Sequence, residues 1–211
     1  MRNKILDDIN KNGWTEIENI SLDKDLIDLA RSIGQIIPQR NNELIYKLTP
    51  NKGEKSIKGT FSNRYGFEAF PLHTDTAFWT IPVRYILLSS TYASCCNTVL
   101  ASANSIMNIF TPNDNAERAI FKIKAIHKLY YTSLVFFENN ISGLKYDSTC
   151  MLPANKFALE FVQKMNTTKI PVKEVKWKGN NAIIIDNWKM LHGRGSAIIE
   201  EKRELKRVYI N

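Results

Sequence analysis

Nowhere in the 211 residues is there a run near the roughly 18 apolar residues of a membrane-spanning helix. The opening MRNKILDDINKNGWT carries no apolar segment of signal-peptide type. Both absences argue against a membrane protein and lead to the expectation of a cytoplasmic, soluble chain. Cysteine is scarce as well. Cys95, Cys96 and Cys150, an odd number with two adjacent, make a poor disulfide framework and suit a reducing compartment. The sequence also lacks internal repeats, low-complexity tracts and linkers, so 1–211 reads as one domain.

Acidic residues are outnumbered, 21 Asp and Glu against 29 Lys and Arg, for a formal charge of +8. Clustered positive charge would attract a phosphate backbone. Here the lysines are scattered through polar turns such as NKGEKSIKG (51–59), and no finger, RNA-recognition or basic-helix pattern accompanies them. They read as solvated surface that also favours small anions, and no nucleic-acid partner is expected. With 44% apolar and 24% charged residues the composition is that of a globular protein with a sizeable core.

Residues 21–35 (SLDKDLIDLARSIGQ) have helical spacing, an acidic first turn and a glycine near the end. Residues 154–165 (ANKFALEFVQKM) have the same periodicity. Strand signals dominate elsewhere: 44–48, 85–89 (YILLS), 98–110 running into a short helix, 116–127, 130–137 (YYTSLVFF), 172–177, 182–186 (AIIID) and 205–210. The polar segment 41–64 can fold over a site without making core. Many short strands with a few helices predict a mainly β fold, a barrel or sandwich flanked by helices.

Histidine is rarest among the residues that carry chemistry, with three in the chain. In FPLHTDTAFW (70–79), His73 and Asp75 stand at i and i+2, where side chains of an extended segment share a face. Two histidines and one carboxylate, with the remaining positions open, form the ligand set of non-haem iron(II) oxygenases. The third ligand is His127 or His192. His127 lies in the lysine-flanked KIKAIHKLYY, the setting of a structural or surface histidine. His192 follows a buried strand in IIIDNWKMLHGRGSA and precedes Gly193, where the backbone can approach another group closely, so it is the better ligand.

On these residues the sequence resembles the iron(II)/2-oxoglutarate-dependent dioxygenases of the taurine dioxygenase and clavaminate synthase-like group. HTD (73–75) is similar to the proximal ligand motif, and DNWKMLHGR (186–194) to the distal segment of its butyrobetaine and trimethyllysine hydroxylase branch. The resemblance implies a double-stranded β-helix (jelly-roll) core, Fe(2+) as metal and 2-oxoglutarate as cosubstrate. Arg203 and Thr98 are the implied binders of the far 2-oxoglutarate carboxylate, and Cys95 and Cys96 stand where the family has glycines. Arg207 resembles a second arginine that binds a substrate anion; pairing with an internal acidic group and a surface position are its other readings. Arg194 is expected to organise the site by pairing with a carboxylate. Arg64 and Glu68 in SNRYGFEAF, Phe78 and Trp79 after the ligands, and Tyr146 in LKYDSTCMLP are candidate substrate contacts. The implied reaction uses dioxygen, most often to hydroxylate, with release of succinate and CO2; a small polar or amino-acid-like metabolite is the expected substrate. A metal- or metabolite-binding regulatory protein on the same fold and a nucleic-acid demethylase are the alternatives.

Overall fold

The run NAIIID forms a strand, Asn181–Asp186, in which every residue is buried. It is apolar on both faces because both faces are covered: Ala182 and Ile184 meet two helices, while Ile183 and Ile185 meet a second sheet. The computed structural model describes residues 2–51, 56, 60–110, 116–125, 128–200 and 203–211. His127, part of 51–59 and the end of the element expected over 116–127 lie outside the described residues.

The large sheet is antiparallel, in the order Trp14–Glu18, Asn181–Asp186, Tyr85–Ser90, Leu205–Ile210 and Ile36–Ile37, with Tyr46–Leu48 also pairing to Leu205–Ile210. Helices Arg2–Asn12 and Asp23–Ile33 lie on its outer face and bury Ile5, Ile9, Leu26, Ala30 and Ile33 against it. Asp23 and Asp25 complement the dipole of the second helix, and the Asp25 carboxylate accepts from Leu22 N at 3.2 Å. The smaller sheet runs Lys173–Lys178, Ala93–Ser102, Met190–Arg194, Phe70–His73, again antiparallel. Leu100, Val175, Trp177 and Met190 from it fill the interior against Ile86, Leu88, Ile183, Ile185, Leu205 and Tyr209. Each fully buried side chain of this kind contributes about 1.5–3 kcal/mol. Two sheets closed face to face on one core make the expected double-stranded β-helix.

The outer face of the smaller sheet carries a third layer. Leu191 and Ala101 pack there with Phe121, Ile123 and Phe161, contributed by strand Ile120–Ala125 and helix Lys156–Thr167. Strand Ile120–Ala125 pairs with Lys128–Ser133 and Met151–Pro153. The segment 130–137, expected as one element, is broken at buried Leu134, whose N–H donates to Ala119 O and whose carbonyl accepts from Lys145 N. The chain then turns through Asn139 and Asn140, both at positive φ, into the hairpin Val135–Glu138 and Ile141–Leu144. The N-terminal helix and the strand Trp14–Glu18 were not among the sequence-based expectations. No described helix is long and apolar enough to cross a membrane.

Candidate metal centre

His73 closes its strand directly opposite His192 in the antiparallel register, and the two imidazole centroids lie 4.3 Å apart. Asp75 follows in the turn that leaves the sheet. Its Oδ1 is 3.6 Å from His73 Nε2 and its Oδ2 is 3.8 Å from His192 Nε2. All three side chains are buried, and they are the only group of three potential ligands among the described residues.

The donors fit a divalent cation. Two atoms that ligate one ion at about 2.0–2.2 Å each can be no more than about 4.4 Å apart, and both measured separations fall inside that limit. His73 Nδ1 lies 3.0 Å from Pro71 O, which places the proton on Nδ1 and leaves the Nε2 lone pair toward Asp75. Burial, with His73 and Arg207 nearby, pulls His192 down to about 3, against the opposing charge of Asp75. It is therefore a neutral donor. Burial opposes ionisation of Asp75, but the Arg207 charge and the two histidines outweigh it and hold the carboxyl well below its usual range. For His73 burial is likewise outweighed, here by the hydrogen bond and charge of Asp75, and its pKa rises.

The backbone of Asp75 is clamped by a residue that sequence reasoning missed. Asn187 Oδ1 accepts from Asp75 N at 3.0 Å, while its Nδ2 donates to Asp75 O at 3.0 Å and to Val83 O at 2.9 Å. Asn187 is fully buried and stands just beyond strand Asn181–Asp186, so the large sheet fixes the ligand turn. Thr76, a β-branched residue at φ 57°, is held in that conformation by its hydroxyl, which donates to Asp75 O at 2.6 Å and accepts from Val83 N at 2.9 Å. Lys145 Nζ secures the same turn from the other side by donating to Trp79 O (3.2 Å) and Thr80 O (2.7 Å). Phe61 packs its ring 4.1 Å from that of His73. Asn187→Ala removes the side-chain partner of Asp75 N and Val83 O, two buried backbone groups, at about 1–3 kcal/mol each, while Asp75 O keeps the Thr76 hydroxyl. It is expected to lower stability by about 3 kcal/mol, read as a drop in the denaturant midpoint.

Arg203 precedes the last strand, which starts at Leu205, so the two-residue alternation that would set Arg207 on its face does not extend to it. It is buried, and its Nε donates to Cys96 O at 3.2 Å. Its two terminal nitrogens have no partner among the described residues. Thr98 is buried in register with Arg194, and its hydroxyl accepts from Trp177 Nε1 at 3.2 Å. Arg207 Nη1 donates to Asp75 Oδ2 at 2.9 Å. Arg194 pairs with carbonyls instead of the expected carboxylate: its Nη2 donates to Gly66 O and Glu68 O, and its guanidinium lies 3.7 Å over the Phe70 ring. It thereby ties the segment before the ligands to the strand of His192.

The other candidates have diverse settings. Arg64 is exposed and donates to Ser148 O and Thr149 O, and the Glu68 side chain is exposed. Phe78 is half-buried against the outer-layer core and Trp79 against the barrel interior. Tyr146 is buried against Phe121 and Phe161, where burial and the Asp147 charge push its phenol up to about 12. Cys95 and Cys96 are free thiols under the Glu200 carboxylate, which accepts from both backbone N–H groups. Desolvation leads the rise in pKa of both, with Glu200 adding to it.

No protein-family model and no curated protein matches the chain. Solved structures do. The chain is similar to the PvcB protein from Pseudomonas aeruginosa, with 12% identity and a TM-score of 0.74 over 100% of this chain and 80% of that one. Asparagine oxygenase gives 13% and 0.76 over 99% and 77%. The non-haem iron oxygenase OrfP, in complex with Fe and α-ketoglutaric acid, gives 15% and 0.71 over 99% and 78%. Asparagine oxygenase is also known with Fe(II), 2S,3S-3-hydroxyasparagine and succinate, and OrfP with (3S)-hydroxy-L-Arg. At these identities the likeness is one of fold. The chain has the β-helix of the iron oxygenases and a buried His–Asp–His set within it.

Proposed function

We propose that the protein is an iron(II)- and 2-oxoglutarate-dependent oxygenase that hydroxylates a small polar, amino-acid-like metabolite. The observation that carries this reading is the convergence of His73, Asp75 and His192, two neutral-capable nitrogen donors and one anionic oxygen donor, buried at the junction of two adjacent strands. Iron with 2-oxoglutarate supplies dioxygen activation coupled to oxidative decarboxylation of the cosubstrate to succinate and CO2.

The chain's own residues do the positioning. The Pro71 carbonyl sets the His73 tautomer, and Asn187 sets the Asp75 backbone. Arg203 offers a guanidinium fork for the far carboxylate of 2-oxoglutarate, with the Thr98 hydroxyl as its companion. Arg64 and Glu68, one of each charge on the segment leading to the ligands, suit contact with a zwitterion. The amino-acid class draws further support from the hydroxylated amino acids bound to asparagine oxygenase and OrfP.

The reading is tested by incubating the protein with Fe(II), 2-oxoglutarate and dioxygen against a panel of amino acids and related metabolites. Succinate should form in every reaction at a slow uncoupled rate and rise at least about tenfold with the true substrate, since proper substrate placement contributes that much and more. Absence of iron-dependent succinate in all reactions would contradict the activity. Stimulation by none of the amino acids would contradict only the substrate class.

A further inference from the structure

Arg207 is braced within the protein at each of its three guanidinium nitrogens. Nη1 donates to Asp75 Oδ2 at 2.9 Å, and Nε and Nη2 both donate to Gln39 Oε1, at 3.1 and 3.0 Å. Gln39 closes the loop by donating its Nε2 to Arg207 O at 3.0 Å. The guanidinium carbon also lies 4.4 Å from the Tyr209 ring centroid and 5.6 Å from that of Tyr46. The residue stands mid-strand, paired with Leu88 on one side and Tyr46 on the other, so its backbone is fixed on both edges.

From this network we infer that Arg207, held by Gln39, is a positioning residue that orients the Asp75 carboxylate toward the metal, and not an anchor for a substrate anion. This rests on the functional reading above. An anchor needs donors with no internal partner to give up on binding. Arg207 would have to release a buried ion pair with Asp75, and breaking such a pair leaves a charge uncompensated. The same bond explains the carboxylate's orientation. Arg207 takes Oδ2 from one side, which keeps the plane of Asp75 turned so that its oxygens face His73 and His192. Supporting partners of this kind commonly set metal affinity by about 10–100-fold.

Gln39 gives the inference its second handle. It lies on the loop after strand Ile36–Ile37 and, among the described residues, its side chain hydrogen-bonds to Arg207 and to none of His73, Asp75 and His192.

The test uses Co(II), titrated into the full chain by calorimetry and by its visible absorption, with thermal melting as the control for folding. Arg207→Gln should weaken Co(II) binding about 10–100-fold. Arg207→Lys, which keeps the charge but not the fork, should recover part of the loss, and Gln39→Leu should weaken binding in the same direction by a smaller factor. If Arg207→Gln does not fold, Gln39→Leu carries the test, because it leaves the guanidinium in place. Wild-type Co(II) affinity in the folded variants overturns the proposal while leaving the functional reading intact. A wild-type chain that takes up no Co(II) overturns both.

Discussion

Replacing His192 with alanine should abolish the weak visible charge-transfer band expected when Fe(II) and 2-oxoglutarate are added without oxygen. Iron-dependent succinate formation should fall by more than about 100-fold, the upper end of what loss of a mere supporting residue costs. His192 is buried and faces His73 across the strand pair, so no neighbouring side chain from the sheet replaces its nitrogen. It is also neutral in the fold, because burial holds it near 3. The substitution therefore removes a lone pair without breaking an ion pair, and Arg207 still neutralises Asp75. A cavity is left, so a folded variant should be confirmed by melting before the spectrum is taken. An unchanged band in folded His192→Ala would sink the metal assignment.

The candidate metal ligands were legible because their residue types are scarce and their spacing carries meaning. With three histidines in the chain, HTD and a histidine after a buried apolar strand left little choice. The strands around them were legible for a related reason: 182–186 and 205–210 are apolar enough to announce burial, and the structure places strands at Asn181–Asp186 and Leu205–Ile210. The N-terminal helix was harder. Ile5 and Ile9 give its buried face too few apolar positions to stand out among Asn, Asp and Lys.

The support of the centre was not legible at all. Asn187 lies 112 residues from Asp75, and Gln39 lies 168 from Arg207. Nothing local distinguishes either amide from an ordinary surface one. Their value comes from burial and from the direction of their donors and acceptors, which only the closed barrel defines. Thr76 is similar: its sequence context reads as a turn, but its positive φ and its two hydroxyl bonds appear only once Val83 has returned beside it. Arg207 shows the converse problem. Its chemistry permits an anion site or an internal pair, and the acidic group it pairs with is a candidate metal ligand far away in the sequence.

Arg203→Met should raise the apparent KM for 2-oxoglutarate about 100-fold and leave Co(II) binding in place. Arg203 is a buried cation with no carboxylate at salt-bridge distance among the described residues, and burial lowers its pKa. Such a group is costly unless something anionic completes it. Its Nε is spent on the Cys96 carbonyl, which holds the guanidinium plane still and leaves the terminal pair of nitrogens for a carboxylate. Two charge-assisted bonds at about 1.5–3 kcal/mol each, less the cost of desolvating the incoming carboxylate, give a loss near 3 kcal/mol. That corresponds to about two powers of ten in affinity. Because the far carboxylate takes no part in the bonds that change, the interaction is equal in ground and transition states, so kcat at saturating cosubstrate should change little. Arg203→Lys should recover only part of the loss, since an ammonium supplies the charge without the fork. A KM at the wild-type value together with a depressed kcat would remove Arg203 from the cosubstrate site and make it a strut for the Cys96 loop.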